Sequence, residues 1–198
     1  MDKKLKKGEY LDTLLRSTKT IFSTKDAALL WSEEKGNTVS ARLNKYVNAG
    51  KLLRIHRGFY TKDKKYDKFE LGTKIYTPSY ISFETVLANA GVVFQLYGQV
   101  FVASYITREV TVDKRIYSYK RVGDSILTNH MGIEAKDHYH IASPERAFLD
   151  VVYLSKDYHF DNVSSLNWEK IFEILPIYDN KRMGKRVKRY HKSINKSE

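Results

Sequence analysis

Between Thr38 and Asn48 the chain sets out Thr38, Ser40, Arg42, Asn44, Lys45 and Asn48, the side-chain types that hydrogen-bond base edges and phosphate oxygens. Arginine offers a planar fork matched to guanine, and asparagine a donor and an acceptor matched to adenine. Hydroxyls near a helix N-terminus suit phosphate. A few residues later come Arg54, His56, Arg57 and Lys62, cationic or hydrogen-bonding groups fit to hold a phosphate backbone. The chemistry these residues imply is recognition of a polyanion. Arg42 is the leading candidate for a bidentate guanine contact, Asn44 and Asn48 for adenine, Thr38 and Ser40 for phosphate, and the remaining cations for the flanking backbone.

The elements that must position these groups follow from apolar spacing. Val39, Leu43, Tyr46 and Val47 recur at helical intervals, so a helix over Thr38–Ala49 gathers one apolar stripe and leaves the polar residues elsewhere. Such a helix spans about 18 Å and fits a major groove about 12 Å wide. Gly50 closes it in a left-handed cap, and Lys51 to Thr61 reads as a tight two-stranded ribbon turning at Arg57-Gly58. Upstream, Tyr10, Leu11, Leu14 and Leu15 predict a helix over Glu9–Lys19. A short extended piece covers Thr20–Phe22, and Ser23 with Asp26 has the form of a capping box opening a second helix over Thr24–Ser32, which buries Ala27, Ala28, Leu30 and Trp31. Gly36 ends that helix and Asn37 caps the next. Helix, short strand, helix, helix and hairpin is the order of a winged helix-turn-helix, which lays one helix in a DNA groove.

Beyond it, Thr61–Asp67 is polar, lysine-rich and without periodicity, and reads as a linker; a second domain starts near Phe69. Ser82 is placed to cap a helix through Ala90 that is closed by Gly91 and buries Phe83, Val86, Leu87 and Ala90. Gln99–Thr107 and Val110–Val122 alternate as strands, with a further strand over Tyr139–Ala142. Ser143-Pro144-Glu145 opens a helix burying Ala147, Phe148, Val151, Val152 and Leu154. A last helix covers Trp168–Ile174, followed by a basic helix or tail. The fold class is α+β: a winged helix-turn-helix at 1–65, a mixed α/β domain at 66–180 and a basic C-terminal segment at 181–198.

Charge is distributed along the same lines. Residues 1–65 carry 16 Lys/Arg against 7 Asp/Glu, residues 66–180 carry 11 against 15, and residues 181–198 carry 8 against 1, so the net charge of +12 comes from two ends of +9 and +7 around a middle of −4. Basic ends around an acidic middle assign polyanion binding to the ends and another role to the centre. There is no cysteine, which excludes disulfides and thiolate metal sites. The basic opening is followed by no apolar run of signal-peptide or membrane length, so a cytoplasmic protein is expected.

Three blocks carry a family likeness: Gly50-Lys51-Leu52-Leu53-Arg54-Ile55-His56-Arg57-Gly58-Phe59-Tyr60, Tyr80-Ile81-Ser82-Phe83-Glu84-Thr85-Val86-Leu87 with Gly91 beyond it, and Ala142-Ser143-Pro144-Glu145-Arg146-Ala147-Phe148-Leu149-Asp150. In this order, within Phe22 to Leu154, the chain resembles the AbiEi antitoxins of bacterial abortive-infection toxin-antitoxin systems. The resemblance implies a non-enzymatic, cofactor-free phage-defence protein. Its winged helix would repress its own operon at promoter inverted repeats, and its second domain would counteract a nucleotidyltransferase-like toxin without a stable complex. It places Arg42, Lys45, Arg54 and Arg57 in the DNA-contacting module and supplies no catalytic residues.

Other chemistries have thinner support. Asp124 with Glu134-Ala135-Lys136 fits the loose acid and Glu-x-Lys pattern of a magnesium nuclease, a pattern that arises readily by chance in a chain with 29% charged residues. His130, His138 and His140 suggest zinc but offer no fourth ligand. Ser143 near Glu145 and Asp150 lacks a glycine elbow and is better explained as a cap. The alternative regulator is a free-standing winged-helix transcription factor whose second domain senses a small ligand.

Overall fold

The computed structural model describes residue 6 and residues 8–33, 35–95 and 98–194. The chain is mixed α and β and divides into two compact units, Met1–Leu71 and Gly72–Glu198.

In the first unit the order is α1 (Glu9–Arg16), β1 (Ile21–Ser23), α2 (Thr24–Trp31), α3 (Gly36–Asn48), β2 (Leu53–His56) and β3 (Phe59–Thr61). The helix α1 is shorter than its apolar spacing predicts, because Ser17 turns extended (ψ 143°) and leaves room for the strand. Ser23 and Asp26 form the predicted reciprocal capping box at the start of α2. One face of each helix builds the core: Tyr10, Leu14, Phe22, Ala27, Trp31, Val39, Leu43, Leu52 and Tyr60 pack as one cluster. Trp31 closes it in two ways. Its ring meets Tyr10 edge-on at 5.6 Å, and its Nε1 donates to the Tyr10 carbonyl at 2.7 Å, which satisfies a buried donor and locks α1 against α2.

The strands form an antiparallel sheet in the order β1-β3-β2, with Phe22 and Arg54 both opposite Tyr60. Gly50 (φ +65°) reverses the chain after α3 and Gly58 (φ +79°) turns the hairpin, two conformations that favour glycine for want of a Cβ. Some expectations fail here. Leu30 is 38% exposed and Leu29 is 80% exposed, since from α2 Ala27 and Trp31 are buried and Ala28 packs half-buried beside them. That helix ends at Ser32, in a left-handed turn, rather than at Gly36. Gly36 instead opens α3, whose N-cap is Lys35, so Asn37 is inside the helix and caps nothing.

The stretch 61–67, read as a linker, is tied back to the first unit. Thr61 is in β3 and buried; the Asp67 amide donates to Thr20 Oγ1 at 2.9 Å; and Glu70 Oε2 accepts from both the amide and the hydroxyl of Thr20, at 2.8 and 2.6 Å. Glu70 belongs to α4 (Lys68–Ile75), a helix that the sequence pattern does not show, and the division between the units falls within it, after Leu71 rather than at 65.

The second unit is built on β4 (Ser79–Ile81), α5 (Glu84–Asn89), β5 (Gln99–Ser104), β6 (Arg108–Val112), β7 (Arg115–Arg121), α6 (Asp124–Leu127), β8 (Ile133–Ala135), β9 (His140–Ala142), α7 (Pro144–Leu154), α8 (Trp168–Ile174), a 3-10 turn at Leu175–Tyr178 and α9 (Lys181–Ile194). Its strands form one sheet in the order β6-β7-β5-β4-β9-β8, parallel at β7-β5 and β4-β9 and antiparallel elsewhere. The run read as one strand over Val110–Val122 is a hairpin. Asp113 and Lys114 both take positive φ (47° and 64°), a turn made without the glycine that would have announced it.

Within this unit α7 is buried almost all round, and its polar residues explain the third sequence block. Ser143 caps it, accepting from the Arg146 amide. Arg146 and Asp150, one turn apart, are both fully buried with Nε and Oδ1 3.5 Å apart. Asp150 also accepts from Tyr80, Ser82 and Tyr178 hydroxyls at 3.0, 2.7 and 2.7 Å, while Arg146 donates to the Ile126 and Met131 carbonyls at 2.7 and 2.9 Å. Both terminal guanidinium nitrogens and both carboxylate oxygens of this buried pair are hydrogen-bonded, while Arg146 Nε has the ion-pair contact but no hydrogen bond among the described residues, and the network joins α7 to β4, α6 and the 3-10 turn. Ser82 is thus spent on Asp150 and does not cap α5, whose N-cap is Phe83. Leu154, expected in the core, is 44% exposed. The basic C-terminal segment is a helix with Met183 and Val187, one turn apart, as its buried seam. Arg186 donates to the Val152 carbonyl at 2.7 Å and Tyr190 to the Tyr158 carbonyl at 2.6 Å. Residues 195–198 of the expected tail, and 1–5 and 7 of the basic opening, lie outside the described residues.

Candidate nucleic-acid interface

The helix α3 sorts its residues by angle. Val39 and Leu43 are fully buried, Tyr46 and Val47 pack beside them, and Asn37, Ala41, Asn44, Lys45 and Asn48 are exposed. The exposed set recurs at intervals of four and three residues, so it forms one continuous stripe about three turns long. It carries three carboxamides and one ammonium around a small alanine, a surface that can approach a flat polar edge closely. Thr38 is exposed at its margin and Ser40 is half-buried. At the start of α3 no side chain from the N-cap Lys35 hydrogen-bonds the first turn and no acid occupies that turn, while just before it the Glu33 carboxylate accepts from the Lys35 amide at 3.3 Å.

Arg42, the leading candidate of the sequence reading, departs from this stripe. Its guanidinium carbon lies 3.6 Å from the centroid of the Tyr10 ring and 5.4 Å from that of Trp31. Its Nη1 is buried without a hydrogen-bond partner among the described residues. Arg42 is three residues after Val39 and four before Tyr46, so helical geometry sets it at the edge of the packed face. The same environment leaves a mark on Tyr46, whose hydroxyl pKa is raised by burial against the opposing pull of the Arg42 charge.

The hairpin supplies the flanking cations. Arg54 and Arg57 are exposed, Arg57 at the turn; Lys51, just before the hairpin, is exposed as well. The pairing slips between Arg54 and His56, so Ile55 is an extra residue that bends β2 and re-aims the end of the ribbon. His56 is half-buried, with its Nδ1 unpartnered among the described residues and its ring 6.0 Å from Phe59. Lys62 also departs from its expected role. Its ammonium donates to the Ser17 carbonyl at the end of α1 and lies 5.7 Å from the Phe22 ring, so it braces the sheet against α1. The hairpin and α3 are coupled by Tyr60 in β3, whose hydroxyl donates to Asn44 Oδ1 at 3.4 Å, and by the Lys51 amide, which donates to the Tyr46 carbonyl at 2.9 Å.

Of the ten residues singled out from sequence, the structure therefore sets Thr38, Asn44, Lys45, Asn48, Arg54 and Arg57 at the surface, leaves Ser40 and His56 half-buried, and turns Arg42 and Lys62 to internal contacts. Asn37 and Ala41 were missed. Their spacing from Asn44 and Asn48 would have revealed them.

Glu134 and Lys136 form an exposed pair at 2.9 Å, in which the lysine holds the Glu134 carboxyl below its ordinary range, and Asp124 lies at the exposed start of α6. Among the described residues no group of three or more His, Asp or Glu is arranged to hold a metal ion. No helix among them is long and apolar enough to cross a membrane.

Residues 9–61 match the family model described as "Transcriptional regulator, AbiEi antitoxin". The match runs from α1 to the end of β3 and supports an AbiEi antitoxin, a transcriptional regulator of the toxin-antitoxin class. No curated protein matches the chain.

Proposed function

We propose, from a first unit that matches the AbiEi antitoxin regulators, that the chain is a cytoplasmic, non-enzymatic antitoxin whose first unit is a winged helix-turn-helix that represses its own operon. The helix α3 enters the major groove. Asn44 and Asn48 read base edges, Asn37 and Ala41 lie on the same face, and Thr38 takes a phosphate. Lys45, Lys51, Arg54 and Arg57 hold the backbone on the flank, the hairpin serving as the wing. The observation that carries the reading is the continuous exposed stripe of carboxamides on α3 beside an arginine-bearing hairpin, to which it is tied by the Tyr60–Asn44 hydrogen bond. A repressor bound to inverted repeats acts as two copies related by a two-fold axis.

The second unit carries the protective activity. It opposes a nucleotidyltransferase-like toxin of an abortive-infection, type IV system without a lasting complex, a role that fits the acidic stretch 66–180, opposite in charge to the basic DNA-facing end.

One experiment in cells separates the two roles. The full chain carrying Asn44→Ala and Lys45→Ala is expressed with the neighbouring toxin and with a reporter of the native promoter. Repression is expected to fall more than tenfold while rescue from the toxin stays at the parental level. Repression that survives the double substitution overturns the assignment of α3; rescue that fails together with repression overturns the division of labour.

A further inference from the structure

The second unit contains a cavity of about 320 Å³ between the end of α4, the start of β4 and the segment running from α6 to β9. That volume is at the lower end of the range for small-molecule sites, which runs roughly from 300 to 1,000 Å³. Its lining is uneven in charge. Lys74, His130, His138 and His140 all face it and no carboxylate does. Pro78, Leu127 and Ile133 supply an apolar wall, and Asn129 adds an amide. Three histidines spread over eleven residues of sequence are brought to one concavity, although they are not arranged as metal ligands.

Two further facts point to an occupant. The Nε2 of His138 is buried and meets no hydrogen-bond partner among the described residues, a cost that proteins ordinarily relieve with water or a ligand. The back of the cavity is rigid: Tyr80 lines it and donates to Asp150, where Arg146, Ser82 and Tyr178 complete the buried network. Binding sites for small molecules combine these properties, a preformed apolar wall and a few convergent polar groups on fixed supports.

We propose that this cavity is a binding site for a small organic anion with a flat or apolar body, its negative group held by Lys74 and the imidazoles and its body set against Pro78, Leu127 and Ile133. The shared chemistry is that of nucleoside monophosphates and aromatic carboxylates. Bound there, such an anion would act on the unit assigned the protective activity, but the site itself does not depend on that assignment.

The test is titration calorimetry on the full chain with four probes: adenosine 5′-monophosphate, benzoate, adenosine and inorganic phosphate. At least one of the first two is expected to bind with a dissociation constant below 1 mM, and to bind at least tenfold more tightly than either adenosine or phosphate alone; which of the two wins identifies the source of the anion. His138→Gln should weaken that probe at least fivefold. His130→Ala, at an exposed position where folding is not at stake, should weaken it at least threefold with an unchanged melting temperature. Failure of both anions to bind, adenosine binding as tightly as its monophosphate when that is the tighter anion, or full affinity in both histidine variants overturns the proposal.

Discussion

Replacing Arg42 by alanine distinguishes a residue that reads bases from one that holds the helices together. The guanidinium lies 3.6 Å from the Tyr10 ring centroid and 5.4 Å from that of Trp31, in a half-buried position. Cation-π contacts contribute about 0.5–1 kcal/mol at exposed sites and about 2 when desolvated, so the arrangement is worth about 1–2 kcal/mol to the first unit. In a domain of this size each 1 kcal/mol moves the melting temperature by roughly 4–8 °C, which gives a fall of about 4–16 °C. Arg42→Lys keeps the charge but loses the planar stack, and should recover less than half of the loss. The assay pairs thermal unfolding, followed by the fluorescence of the Trp31 region, with anisotropy titrations on promoter DNA and on duplexes altered one base pair at a time. Parental and Arg42→Ala proteins should rank the duplexes identically, with affinities lowered only two- to threefold throughout. An Arg42→Ala protein that melts with the parent yet loses about 1–3 kcal/mol at a single base pair would refute the reasoning and return Arg42 to the groove.

Three further outcomes follow from the same geometry. With Arg42 and Lys62 engaged internally, Lys45, Lys51, Arg54 and Arg57 remain to neutralise phosphates, so the log of affinity should fall against log salt with a slope of about −3.6 per protomer, and Lys45→Ala should bring it near −2.7; a slope that Lys45→Ala leaves unchanged removes that lysine from the interface. In the second unit Arg146→Met should cost about 3–5 kcal/mol because it strands the Asp150 carboxylate, while adding Asp150→Leu should restore part of that stability, as measured by urea denaturation; additive losses would show that the pair is not coupled. Burial raises the pKa of the Tyr80 and Tyr178 hydroxyls well above 10.0, and that of Tyr119 as well. Because the folded value exceeds the unfolded one, their contribution is complete below pH 10 and is lost as pH rises past it, at about 1.4 kcal/mol per pH unit for each tyrosine. Absorbance at 295 nm should therefore show these three silent until the chain unfolds in alkali, and early titration of all fifteen tyrosines would contradict their burial.

Local rules made much of the first unit legible. The capping box at Ser23 and Asp26, the apolar stripe of Val39 and Leu43 and the glycines at 50 and 58 each rest on contacts within a few residues, and each is found where the spacing predicts. The Ser143-Pro144-Glu145 helix start is of the same kind. The failures have another origin. The turn at Asp113-Lys114 is held by sheet pairing on both sides and has an aspartate but no glycine to mark it. The helix α4 escaped notice because its glycine and mixed polarity give no periodic signal, whereas Glu70 is buried there to accept two hydrogen bonds from Thr20, fifty residues earlier.

The candidate interface divides in the same way. Residue types and charge by themselves determined that the first 65 residues carry amides, hydroxyls and cations suited to a nucleic acid, and helical periodicity determined which side of α3 must pack. Which cations remain available was decided only by tertiary structure. Arg42 and Lys62 look like Lys45 and Arg57 in a sequence, but an aromatic ring and a carbonyl from α1 stand close to the first two and not to the others. A long cationic side chain goes to the strongest nearby partner, and that partner is set by packing between segments remote along the chain, a relation that no local pattern encodes.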